Sequence, residues 1–76
     1  MEKLIKIMDT VRSGVDYMAH TALIDDGVLD SFDIVSLIAE LSDAYDIQIP
    51  AEEIVPENFN SAALLQAMIN RLADNP

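Results

Sequence analysis

Residues 30–46 read Asp30-Ser31-Phe32-Asp33-Ile34-Val35-Ser36-Leu37-Ile38-Ala39-Glu40-Leu41-Ser42-Asp43-Ala44-Tyr45-Asp46, and this stretch decides the fold. Asp30 is a good helix N-cap, because its carboxylate accepts from the unpaired first-turn N–H groups and lies at the positive end of the helix dipole, where Asp33 adds to the effect. Ile34, Leu37, Ile38, Leu41 and Tyr45 then fall at i, i+3, i+4, i+7 and i+11, a single stripe for burial. The opposite face carries Phe32, Val35, Ser36, Ala39, Asp43 and Asp46, with Glu40 at its margin: a few apolar residues set among acids. The helix is predicted to stop near Asp46, since Ile47-Gln48-Ile49-Pro50 reads as extended chain and Pro50 disfavours helix at Ile49.

Upstream, Leu4, Met8, Val11, Val15 and Met18 recur at helical spacing and predict an amphipathic helix over about residues 2–18, with Gly14 as a weak point inside it. From Ala19 to Asp30 the period breaks, and Asp25-Asp26-Gly27 supplies turn chemistry, so a long loop is expected, tethered by Leu23, Ile24, Val28 and Leu29. Downstream, residues 51–54 predict one short helical turn ended by Pro56. Asn60 or Ser61 then caps a last helix whose apolar positions Leu64, Leu65, Met68, Ile69 and Leu72 run to about Ala73. The expected fold is all-α, an irregular bundle of three main helices plus a short fourth, with no sheet.

The chain of 76 residues is too short to divide and reads as a single domain over 1–76, and its 51% hydrophobic content is ample for a thin core. Fourteen acids against four bases give a net charge of -10, the wrong sign for nucleic acid or an anionic membrane, so partners are expected to carry basic patches. Lys3, Lys6, Arg12 and Arg71 are the only cations, and residues 13–70 hold no Lys or Arg at all. The chain contains no cysteine, which removes disulfides, thiolate metal sites and a cysteine nucleophile and fits a reducing compartment. No apolar run approaches a membrane span and the start lacks the pattern of a signal peptide, so a cytoplasmic monomer without stable membrane insertion is expected.

Enzyme readings find no support in the residues. The one histidine, His20, reads as an exposed residue at a helix end, and Ser31 sits in Leu-Asp-Ser-Phe-Asp rather than in a G-x-S-x-G elbow. Asp25, Asp26, Gly27 and Asp30 do not follow the alternating ligand spacing of an EF-hand, so no metal site and no catalytic residue is assigned.

The run Gly27-Val28-Leu29-Asp30-Ser31-Phe32-Asp33-Ile34-Val35-Ser36-Leu37, followed by an acidic helix, Ile49-Pro50 and a last helix, resembles the acyl carrier proteins over essentially the whole chain. The resemblance implies 4′-phosphopantetheine on Ser31, beside Asp30, transferred from coenzyme A by a phosphopantetheinyl transferase, with cargo held as a thioester. A helix N-terminus suits such a phosphodiester independently, because its free N–H groups and dipole favour an anion. The resemblance also implies that Phe32, Asp33, Val35, Ser36, Ala39, Glu40, Asp43 and Asp46 meet partners, namely the transferase, an acyl- or aminoacyl-activating ligase and acyl-processing enzymes. Phe32 stands where the family usually has leucine and Ser36 where fatty-acid carriers often have glutamate. Leu-Asp-Ser followed by an aromatic residue also looks like stand-alone carriers served by an adenylating ligase, including the D-alanyl carrier proteins. A free-standing acyl carrier ranks first here, with fatty acid biosynthesis, and so lipid metabolism, and a specialised pathway both left open. An aminoacyl carrier, D-alanyl-like or of nonribosomal-peptide type, comes next, and an acidic helical adaptor without a prosthetic group last.

Overall fold

A computed structural model describes residues 1–74. Helix α1 spans Glu2–Val11 and α2 spans Ser31–Tyr45; a 3-10 turn covers Ala51–Glu53, α3 covers Pro56–Phe59 and α4 covers Ala62–Asp74. No strand occurs among the described residues. The core draws on all four α-helices and the long connection: Leu4 and Met8 from α1, Tyr17, Leu23 and Leu29 from the long connection, Leu37 and Leu41 from α2, Phe59 from α3, and Ala62, Leu65, Met68 and Ile69 from α4.

Helix α1 is shorter than its hydrophobic period predicts. It ends at Arg12, whose backbone is extended (φ -143°, ψ 105°), and Gly14 follows at φ +83°, a conformation glycine adopts without steric cost. The chain turns there so that Tyr17 can enter the core, and the Tyr17 hydroxyl reaches the carbonyls of Met8 (3.1 Å) and Arg12 at the end of α1. Burial, with the charges of Asp9 and Asp33, pushes the Tyr17 phenol up and keeps it a donor. Met18, assigned by spacing to the buried stripe, is 67% exposed. His20 therefore lies in the connection rather than at a helix end, half-buried, with Nε2 3.1 Å from Asp26 Oδ2.

Helix α2 runs as its cap and stripe predict. Its C-cap, Asp46, sits in the left-handed region (φ 52°, ψ 51°), which aspartate tolerates better than most residues. Lys3 Nζ donates to the carbonyl of Ala44 at 2.8 Å and stands 4.5 Å from the centre of the Tyr45 ring, a cation at the negative end of the dipole. Arg12, at the other end of α1, meets Asp33 in the first turn of α2, so the two helices run antiparallel and are pinned at both ends.

The remaining elements form a corner. Pro56 opens α3 instead of ending a turn, because a residue at the first helical position has no intrahelical use for its N–H. Ser61 caps α4, its Oγ accepting from Leu64 N–H at 3.1 Å, while Asn60 faces the long connection instead. Leu64, counted by spacing with the buried positions, is 42% exposed. Arg71 clasps Glu53 through two hydrogen bonds of 2.7 and 2.9 Å, fastening the 3-10 turn to α4.

Leu37, fully buried in α2, contrasts with Leu64 on the surface of α4. Leu37→Ala is expected to lower the unfolding free energy by about 2–5 kcal/mol. Leu64→Ala should shift it by less than about 1 kcal/mol, since little surface and no cavity are involved. Urea titrations followed by far-ultraviolet circular dichroism measure both; equal losses would contradict this core.

Candidate functional site

The first turn of α2 is a tightly specified junction. Asp30 Oδ1 accepts from the N–H of Asp33 at 2.9 Å, and Asp33 Oδ2 accepts from the N–H of Asp30 at 3.2 Å, a reciprocal capping box with aspartate in both places. Arg12 donates to Asp33 Oδ2 from Nη2 at 2.6 Å and from Nε at 3.1 Å, and its Nη2 stands 3.8 Å from Asp30 Oδ2. Burial alone would raise the Asp33 carboxyl, but the hydrogen bonds from Arg12 and the Asp30 backbone, with the Arg12 charge, together hold it below the usual carboxylate range.

Asp33 was expected on the partner-facing side and is not there. It is only 6% exposed, and its carboxylate is committed to Arg12 and to the Asp30 backbone. The other expected positions sit differently: Phe32 is 78% and Val35 66% exposed, Ala39, Glu40, Asp43 and Asp46 are also exposed, and Ser36 is half-buried. Two aliphatic or aromatic groups and three carboxylates thus share one open face of α2.

Ser31 occupies the first helical position and is exposed. The first N–H groups of a helix have no intrahelical acceptor, so those of Ser31 and Phe32 stay free for a negatively charged group on the serine. The hydroxyl is accessible, next to a cap that holds its backbone still. A tethered phosphodiester fits this position without displacing any buried group.

Beside this turn a cleft of about 60 Å³ is lined by Ile24, Ile34, Ile54, Val55, Pro56 and Phe59. A larger open groove of about 920 Å³ lies at the other end of α2, lined by residues that include Tyr45, Ile47, Ile49 and Leu72. Among the described residues no three His, Cys, Asp or Glu side chains are grouped to hold a metal ion.

Two residues that matter to the junction were not singled out from the sequence. Arg12 carried no local signal beyond being one of four cations, and its partner lies 21 positions away. Asn60 was read as a possible cap for the last helix; its side chain instead accepts from the N–H groups of Ile24 (2.9 Å) and Asp25 (3.1 Å).

No family model matches the chain. It is 33% identical over 76 residues to the D-alanyl carrier protein of Lactococcus lactis subsp. cremoris (strain MG1363), covering 96% of this chain and 95% of that protein. The chain belongs to the stand-alone carrier proteins of the acyl carrier type. The carrier is also 37% identical over 68 residues to aminoacyl carrier protein 1 of Bradyrhizobium diazoefficiens, covering 88% of this chain and 74% of that protein. The D-alanyl carrier protein of Streptococcus gordonii is 38% identical over 61 residues, covering 79% and 77%. A chain in a crystal structure described as that of an FAD-dependent dehydrogenase superposes with a TM-score of 0.70 at 36% identity, covering 84% of the carrier and 93% of that chain. Carrier proteins are not themselves enzymes; they bear a phosphopantetheine group and work with ligases and transferases. The relatives carry amino acids by name, and a place in fatty acid biosynthesis or lipid metabolism finds no support among them.

The depressed Asp33 carboxyl makes stability depend on pH in a defined direction. Its folded pKa lies below the unfolded value, so its contribution is complete above about pH 4 and is lost as pH falls through the folded pKa. Wild type and Asp33→Asn should therefore differ most in urea midpoint near pH 6 and converge toward pH 2. A constant difference across that range would remove Asp33 as the titrating group.

Proposed function

We propose that this carrier takes 4′-phosphopantetheine on Ser31 and holds an activated amino acid, with a small amino acid such as alanine as the leading cargo. The observation that carries the attachment site is the accessible Ser31 hydroxyl at the first position of α2, its backbone held by the Asp30–Asp33 capping box. In loading, Ser31 Oγ forms a bond to the phosphorus bearing the pantetheine of coenzyme A. The pyrophosphate bond to that phosphorus breaks, 3′,5′-ADP departs, and the hydroxyl proton goes to a base on the transferase. Once attached, the arm supplies a terminal thiol, which this cysteine-free chain lacks, for a thioester to the cargo.

Two observations favour an amino acid over the fatty acyl cargo ranked first from the sequence. The curated relatives are D-alanyl and aminoacyl carriers. The apolar cleft beside the first turn of α2, at about 60 Å³, is far below the several hundred Å³ of ligand pockets. A long alkyl chain has no room in it, whereas a short polar cargo has no need of shelter.

Glu40, Asp43 and Asp46 with Phe32, Val35, Ser36 and Ala39 form the docking face for the transferase and for an adenylating ligase. Lys3, Arg12 and Arg71 are engaged within the fold, so the carboxylates of this face are left to basic patches on partners. Such charges speed encounter and set orientation. Both partner reactions draw on coenzyme A or an activated acid, which favours a cytoplasmic location.

Intact-protein mass spectrometry after incubation with coenzyme A, magnesium and a broad-specificity phosphopantetheinyl transferase tests the site. Wild type should gain one phosphopantetheine and Ser31→Ala none; failure of the wild type beside a control carrier that loads would favour the adaptor reading. Thioester formation by a cognate adenylating ligase should then proceed with a small amino acid and not with a long-chain fatty acid, and the reverse preference would restore the fatty acyl reading. Raising ionic strength to physiological values, where the Debye length is about 8 Å, should weaken transferase binding. The triple variant Glu40→Gln, Asp43→Asn and Asp46→Asn should flatten that salt dependence.

A further inference from the structure

The chain entering Ser31 is held by one side chain from the far side of the fold. Asn60, half-buried at the end of α3, accepts from the N–H of Ile24 at 2.9 Å and of Asp25 at 3.1 Å through Oδ1, and its Nδ2 donates to Asp25 Oδ2 at 3.2 Å. Its backbone carbonyl accepts from the N–H of Leu23 at 2.8 Å, and the carbonyl of Leu23 in turn accepts from the N–H of Leu29 at 3.0 Å. Leu29 stands two residues before Ser31. The loop between them closes on itself through Asp26 N–H to Ala22 O (2.8 Å) and Gly27 N–H to Ile24 O (3.0 Å). Ser61 already caps α4, so the Asn60 amide is free of the local duty its position suggests.

We infer that Asn60 is a positioning residue for the modification of Ser31, an inference that rests on the attachment proposed above. Its side-chain amide fixes residues 24 and 25 while its backbone carbonyl fixes Leu23, so the loop that runs on through Leu29 to Asp30 and Ser31 is held in the shape the transferase meets. A loop already in its bound shape spares the complex the cost of ordering it, and a loop only partly in that shape weakens apparent affinity in proportion. Bond making and breaking at Ser31 Oγ are untouched, so the effect belongs in recognition and not in the chemical step.

Asn60→Ala keeps the carbonyl bond to Leu23 and suits the right-handed backbone at this position (φ -72°, ψ -21°), so the fold is retained. Hydrogen exchange on the unmodified protein reads the latch directly: the Ile24 and Asp25 amides should lose protection while those of Leu37 and Leu41 keep theirs. Steady-state transfer from coenzyme A, well below the unfolding midpoint, should show KM for the carrier raised about tenfold with kcat unchanged. Asn60→Asp alone sets two carboxylates face to face and should load as poorly as Asn60→Ala. Combining Asn60→Asp with Asp25→Asn exchanges amide and carboxylate across the same hydrogen bond and should return KM toward the wild-type value. Lost protection with unchanged KM would overturn the inference and leave Asn60 a structural latch only; unchanged protection would overturn it at the latch itself. A wild type that takes no arm on Ser31 would overturn the proposed function and this inference with it, whereas equal loading of wild type and Asn60→Ala overturns the inference alone.

Discussion

The Asp33 carboxylate sits between the Arg12 guanidinium and the Asp30 backbone, and the arrangement of α1, the long connection and α2 hangs on that junction. A carboxylate this sheltered is tolerated only if it is paired and hydrogen-bonded, and Arg12 is the cation within reach. Placing Arg12 there sets where α1 must end, and the antiparallel run that follows brings Lys3 to the C-terminal end of α2. With only four cations against fourteen acids, spending three on internal contacts leaves the exterior almost uniformly negative. The same allocation of charge holds the helices together and gives the surface its sign.

Much of this was legible along the chain, and the misreadings share a cause. Helix α2 and its cap were legible because every signal is local: Asp30 before the stripe, Ile34 to Tyr45 in phase, Pro50 beyond. The length of α1 was not, since Val15 and Met18 keep the helical period while Tyr17 gains more by turning into the core. Pro56 reads equally as a stop and as a first helical residue, and only the packing of Phe59 decides for the second. Asp33 belongs by position to the acidic face and by contact to the interior, and the contact is made with a residue 21 positions away. Asn60 shows the same limit: its amide serves amides 36 and 35 positions distant.

The division of labour in the carrier follows from its size. A thin core can present an accessible hydroxyl and a charged face, and the cleft beside that hydroxyl is small, about 60 Å³. The attachment motif is shared by carriers of unlike cargo, which is why the residues around Ser31 specify a carrier more sharply than they specify what is carried. On the function proposed above, the small cleft beside Ser31, whose lining includes Ile24, Ile34 and Phe59, is where cargo size would be limited.

Asp46 ends α2 in a left-handed conformation that glycine adopts without penalty, and it is also an exposed carboxylate on the face proposed above for docking. An engineer seeking a more heat-resistant carrier would change it to glycine early, because relieving such a residue commonly gains stability. The same change would erase one charge from that proposed docking surface. On that proposal, durability and traffic between enzymes compete for a single position.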